Sequence, residues 1–214
     1  MAKFVVAVDG PAGSGKSSVS KAAASRLGMS YLDTGAGYRA FTLHAMQNPE
    51  QDLEASLESF DYEISLDPKN QVVTLAQMDV TEEIRSAEVA GRVSEFARLP
   101  AVRQLQLEDA LARIANAESD GIVVEGRDIT TVVAPDAQVR VLLTASEAAR
   151  LARRAKEMTE DSGNLVSRDA SDSKVVDFFN PADGVTLLDT TELDFEQSVD
   201  ALVKIIREGG YVGR

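Results

Sequence analysis

Apolar and polar positions switch between two periods along this 214-residue chain, and the switches mark its elements. The β-branched run Val5-Val6-Ala7-Val8, with Phe4 before it, predicts a buried strand, and Ser18 to Leu27 has helical composition. Ser30-Tyr31-Leu32 predicts a second strand, followed by a helix that runs to about Met46 and is closed by Asn48-Pro49. Glu54 to Phe60 is weakly helical. Tyr62 to Leu66 and Gln71 to Leu75 alternate as half-buried strands do, on either side of the turn Asp67-Pro68-Lys69-Asn70. A hairpin is foreign to an all-parallel sheet, so this segment is expected to form a small insert packed outside the main core. Val80-Thr81-Glu82-Glu83 carries a helix start, and that helix is expected to reach about Arg98. Another helix is predicted from Pro100 to about Glu118, with Val102, Leu105, Leu111 and Ile114 on its apolar side. Gly121 to Glu125, Val139 to Leu143 and Val185 to Asp189 read as strands, Ser146 caps a helix, and Phe195 to Arg207 forms the closing helix.

Strands alternating with helices predict an α/β fold, a doubly wound parallel sheet of five strands with helices on both faces. A single domain is expected. Its core would comprise about 1–33, 99–157 and 184–214; a second region, about 34–98, would carry the small β-rich insert, and the polar, acidic stretch 158–183 would form a mobile lid.

The turn after the first strand changes the picture from fold to chemistry. Gly10-Pro11-Ala12-Gly13-Ser14-Gly15-Lys16-Ser17 fits the phosphate-binding pattern G-x-x-x-x-G-K-[ST] at every fixed position, between a strand and a helix. Its glycines let successive N–H groups face one concavity, and the helix adds the positive end of its dipole. Lys16 is placed to reach terminal phosphates and Ser17 to put a hydroxyl on Mg²⁺. A glycine-rich turn that binds nothing is the bland alternative, and the complete match argues for a nucleoside triphosphate.

Charge narrows the partners. There are 35 acidic residues against 22 basic ones, a formal net charge of −13, which repels nucleic acid and anionic membranes. Phosphates must therefore be drawn in by local cations. The chain has no cysteine, which excludes disulfides and thiolate chemistry. A strand that starts at Phe4 leaves no room for a signal peptide, and no apolar run is long enough to span a bilayer, so a cytoplasmic setting is expected.

The other candidates sit where strands end or helices begin. Glu125 closes an apolar strand, where a carboxylate can hold a metal's waters or simply face solvent. Arg127-Asp128 leaves that strand end, and Arg39 lies one turn beyond Thr34. Arg150, Arg153 and Arg154 share a helix face at i, i+3 and i+4, either as a cationic cluster or as partners of Glu147 and Glu157. His44 is the only histidine and has no evident partner, so a structural role is expected. Without histidine acid–base apparatus, a reaction that depends on positioning is favoured over triad hydrolysis.

Taken together, Asp9 to Ser17, Leu32 to Arg39, Asp79 to Arg85, Leu99 to Arg103, Val123 to Ile129 and Asp189-Thr190-Thr191 resemble the bacterial cytidylate kinases, the long form with an insert. The likeness runs from Val5 to about Ile206. It implies transfer of the γ-phosphoryl group of ATP to CMP or dCMP with Mg²⁺, by a monomer that uses no nucleic acid or membrane. It further implies that ATP lies on Gly10, Pro11, Ala12, Gly13, Ser14, Gly15, Lys16, Ser17 and Ser18 with Arg150, Arg153 and Arg154. Thr34, Arg39 and Arg127 would hold the CMP phosphate, and Ser94, Arg103 and Asp128 would face the cytosine. Arg168 would reach the acceptor phosphate and Asp172 the ribose. Lys16, Arg127, Arg154 and Arg168 are the expected catalytic cations, and Ser17 with Glu125, through water, the expected metal site. Three positions depart from the family pattern: Val175 stands where an arginine is usual, beside Lys174; Gly37 replaces a bulky apolar residue; and Thr130 replaces a glycine. Another acceptor, such as UMP or a small alcohol, and a weakly catalytic nucleotide-binding regulator remain open alternatives. A P-loop GTPase is disfavoured because no Asn-Lys-x-Asp segment is present.

Overall fold

The computed structural model describes residues 3–157 and 181–213, with side chains to Arg153 in the first segment. The expected lid therefore falls outside the described residues except for positions 181–183. In chain order the elements are β1 Phe4–Asp9, α1 Lys16–Leu27, β2 Ser30–Asp33, α2 Thr34–Gln47, α3 Leu53–Glu58, β3 Tyr62–Ile64, β4 Val73–Leu75 and β5 Met78–Asp79. They continue with α4 Ala87–Ala97, α5 Pro100–Asn116, β6 Gly121–Gly126, β7 Val139–Thr144, α6 Glu147–Glu157, β8 Thr186–Asp189 and α7 Phe195–Glu208.

Five strands form one parallel sheet in the order β2-β6-β1-β7-β8. The chain first fills one side of β1 and then the other, so the winding reverses there and opens a crevice at the strands' carboxyl ends. Register brings the chemistry to that crevice: Glu125 is opposite Val8 on one side and Asp33 on the other, and Asp9 is opposite Gly126.

Strand alternation divides the core into two layers. Val6, Val8, Val123, Val141 and Leu143 pack on one face with α1 and with Val199, Leu202 and Ile206 of α7. Ala7, Leu32, Ile122 and Val124 pack on the other face with Ala36, Ala40 and Leu43 of α2. That second layer also contains Tyr62, Ile64, Val73 and Leu75. The insert is a three-stranded antiparallel sheet, β3-β4-β5, and it shares the main core instead of packing outside it. Three residues are too few to bury a face alone. The Tyr31 amide donates to the Leu66 carbonyl at 2.9 Å, tying insert to sheet.

Two helix expectations need correction. Instead of one helix from Thr81 to Arg98 there is a 3₁₀ turn, Glu83–Arg85, and then α4. Ser86 separates them, with extended backbone and a side chain that accepts from the Val89 amide, so the helix restarts at its own cap. On α5 the buried row is Val102, Gln106 and Ala110, an i, i+4, i+8 ridge. Leu111 is one step round the helix and 46% exposed.

Candidate active site

The P-loop is shaped by its glycines and braced by arginines. Gly13 and Gly15 take φ values of 74° and 86°, which disfavour any side chain. Gly15 precedes α1 without giving it a side-chain cap, which leaves the positive helix end to a ligand. Every second loop carbonyl is gripped by a guanidinium: Arg127 Nη1 donates to Gly10 O at 3.0 Å, Arg150 Nη1 to Ala12 O at 3.0 Å, and Arg153 Nη1 to Ser14 O at 2.9 Å. Arg153 also donates to Thr190 Oγ1 at 3.0 Å, Thr190 O at 2.6 Å and Leu193 O at 3.4 Å. The arginine face foreseen on α6 thus divides. Arg153 braces the loop against the turn after β8, and Arg150 holds it two residues earlier, at Ala12. Arg154's side chain, Arg168, Asp172, Lys174, Val175 and Phe178-Phe179 lie outside the described residues.

Glu125 is 1% exposed, and the first residues of α1 converge on it. Lys16 Nζ donates to its Oε2 and Ser17 Oγ to its Oε1 at 2.7 Å. Tyr31 OH donates to Oε1 at 3.1 Å, and burial first, then the Glu125 charge, pushes its pKa well above the ordinary value. A hydroxyl and a carboxylate beside a phosphate loop are hard oxygen donors of the kind Mg²⁺ takes together with waters. Thr34 Oγ1 donates to the Glu125 carbonyl at 2.9 Å.

Asp33 caps α2 by accepting the Ala36 amide at 3.1 Å and holds Arg39 Nη2 at 2.7 Å. Burial would raise its pKa, but the charges of Arg39, Lys16 and Arg85 outweigh it and hold the carboxyl below its ordinary value. Arg39 Nε is buried without a partner.

Asp9 is an organising residue that the sequence reading quoted without assigning a role. Its Oδ1 accepts the Ile129 amide at 2.7 Å; its Oδ2 accepts the Thr130 amide at 2.8 Å and Thr130 Oγ1 at 2.6 Å. Thr130, where the resemblance led to glycine, supplies that third donor. Burial still raises the Asp9 pKa, against these bonds. This carboxylate fixes the π-helical turn Ile129–Val133 to the end of β1, and the turn positions Arg127 and Asp128 in front of it. An acid ending a buried strand was the available signal.

Asp128 and Thr34 open into a cavity of about 330 Å³. Its polar wall is Thr34, Tyr38, Arg103, Gln104, Gln106 and Asp128; Pro100, Leu107, Ala110, Val132 and Val133 supply the apolar part. Arg103 Nη2 donates to Asp128 Oδ2 at 2.5 Å. Tyr38 is pushed up to about 12 by burial first and the Asp128 charge second, so it keeps its proton. Arg39 and Ser94, the latter half-buried on α4, are not part of this wall. Tyr38 and Gln106 are, and neither was singled out from sequence. His44 does have a partner, Ser59 Oγ at 3.1 Å from Nε2, with the rings of Phe41 and Phe60 nearby. Burial lowers its pKa, and its role is structural.

Among the described residues no helix is long and apolar enough to cross a membrane. A solved structure of an uncharacterised protein from Eubacterium ventriosum covers 96% of this chain and 99% of its own at a TM-score of 0.52 and 12% identity, a likeness of fold alone. A protein named cytidylate kinase from Cutibacterium acnes is 42% identical over 95% of this chain and 96% of its own length. One of the same name from Thermotoga maritima is 39% identical over 96% and 97%. The family model described as cytidylate kinase matches residues 6–208. With the P-loop, Glu125 and the Arg103–Asp128 cavity on one sheet edge, and that match along nearly the whole chain, this protein belongs to the cytidylate kinase family.

Proposed function

We propose that this chain transfers the γ-phosphoryl group of ATP to CMP or dCMP, giving ADP and CDP or dCDP. The observation that carries the reading is the Arg103–Asp128 pair in a cavity beside Thr34, on the same edge as the P-loop. Asp128 accepts, and so suits the cytosine amino group; Arg103 donates, and so suits the ring acceptors. Uracil turns a carbonyl towards Asp128, so the carboxylate oxygen not held by Arg103 faces a lone pair instead of a donor, a loss of about 2–3 kcal/mol or roughly 100-fold in kcat/KM.

The acceptor phosphate is already ionised at neutral pH, so no general base is required and alignment dominates. The P-loop amides and Lys16 hold the ATP phosphates, with Arg150 at the loop and Arg153 bracing it. Thr34, Arg39 with its unpartnered Nε, and Arg127 take the acceptor phosphate. Arg154 and Arg168 add charge neutralisation, Asp172 meets the ribose, and Ser94 supports the base pocket. Mg²⁺, held by Ser17 Oγ with Glu125 binding its waters, would neutralise phosphate oxygens when bound. The same reading divides the chain into the core, the acceptor-binding region about 34–98 and the lid about 158–183. It carries with it a cytoplasmic monomer in pyrimidine nucleotide metabolism, with no nucleic-acid partner.

The test is ADP production across CMP, dCMP, UMP, AMP and GMP at saturating ATP. CMP or dCMP is expected to exceed UMP by about 100-fold in kcat/KM. A larger value for any other acceptor would defeat the assignment.

A further inference from the structure

Gln106 is the polar member of the buried Val102, Gln106, Ala110 ridge of α5. It is 6% exposed, lines the cavity, and its Nε2 has no hydrogen-bond partner. Buried amides are ordinarily satisfied, and an apolar side chain of the same length would fill this place without an orphaned donor. The facing helix is cut away to admit the amide: a Cβ on Gly37 would lie 2.1 Å from Gln106 Oε1 and 3.1 Å from its Cδ. Glycine inside a helix is itself destabilising relative to alanine. An unfavourable glycine thus lies against an unpartnered amide that lines the cavity.

We infer that Gln106 is a specificity-determining residue that reads the acceptor base, its Nε2 donating to the O2 or N3 acceptor edge of the pyrimidine, with Gly37 opposite it making room for the amide. This rests on the reading of the cavity as the CMP site. The chemistry closes on that edge. Asp128 can only accept, so it pairs with the amino group, and the acceptor atoms beside it require donors. Arg103 is one donor and Gln106 is the second. Gln106 stands one turn along α5 from Arg103, so both act from the same helix.

Gln106→Met conserves length and removes the donor, Gly37→Ala displaces the amide through its flexible end, and the double variant combines them. Gln106→Met is expected to raise the KM for CMP about tenfold, the loss of one well-formed hydrogen bond, while the KM for ATP stays within twofold. The Tm of the ligand-free protein should not fall, because the donor removed was unpartnered. Gly37→Ala should raise the CMP KM in the same direction, and the double variant should be no worse than Gln106→Met alone, since both act on one interaction. A Gln106→Met enzyme whose CMP KM stays within twofold of wild type, when wild type turns over CMP normally, would sink the amide assignment alone. Equal rises in both KM values with a lower Tm would make Gln106 a packing residue. No CMP turnover by wild type would sink both this inference and the cavity's assignment.

Discussion

One oxygen of Asp33 accepts the first-turn amide of α2 while the other holds Arg39, so a single carboxylate both starts a helix and aims a guanidinium. Its folded pKa lies below the ordinary value of 3.8, with the charges of Arg39, Lys16 and Arg85 outweighing burial. A depressed carboxylate contributes stability that is fully present above its unfolded pKa and is lost as pH falls through the folded one. Asp33→Asn retains a capping oxygen but removes the charge. The stability gap between wild type and Asp33→Asn in urea should be about 1–3 kcal/mol at pH 6 and should close progressively below pH ~3.8. A gap that stayed constant to pH ~2.5 would mean that the Arg39 pairing does not depend on ionisation. Asp9 has the opposite sign. Its pKa is raised, chiefly by burial, so its contribution is fully present below 3.8 and is lost as pH rises through its folded value. Two acids at the ends of β1 and β2, on either side of β6, therefore pull the acid limb in opposite directions.

At the level of elements, β4 and β5 are joined by Ala76 and Gln77, both exposed and both with positive φ, 45° and 68°. A two-residue loop with both φ values positive is a primed turn, which favours Asn-Gly. Ala76→Asn combined with Gln77→Gly is expected to stabilise the protein by about 1 kcal/mol and to raise Tm by about 2–4 °C. An unchanged or lower Tm would show that this turn does not limit the insert. The same turn explains why β5 was not legible in the sequence. Ala-Gln gives no hairpin signal, and two residues show no alternation. β1 and β6 were legible because their runs are apolar on both faces, as strands buried on both sides must be. The P-loop was legible because loop and helix start share one short segment. The roles of Asp9 and Gln106 were not, because each depends on a partner brought near by tertiary register: Ile129 and Thr130 for Asp9, Gly37 for Gln106. Ser86 was overlooked because a serine inside a helical pattern becomes a cap only when the chain must turn there.

The molecule as a whole carries a net charge of −13, yet the cations of its site are concentrated on one edge and held by acids. Lys16 pairs with Glu125, Arg39 with Asp33, and Arg103 with Asp128. Such pairing keeps each cation oriented before an anionic substrate arrives, in a body that otherwise repels it. The cavity walls come from α2, α5 and the turn after β6, which lie far apart in sequence. A bound nucleotide therefore bridges elements that share one core layer, and a ligand that binds only the folded chain adds its binding energy to global stability. At 100 times its Kd, CMP should add about 2.7 kcal/mol, or about 5–10 °C in Tm for a chain of this size. UMP bound 100-fold more weakly would, at that concentration, add only about 0.4 kcal/mol and shift Tm by about 1 °C. Asp128→Ala should bring the two shifts together, because the group that distinguishes amino from carbonyl is gone. Equal shifts for CMP and UMP with the wild-type protein would mean that the cavity does not read this edge of the base.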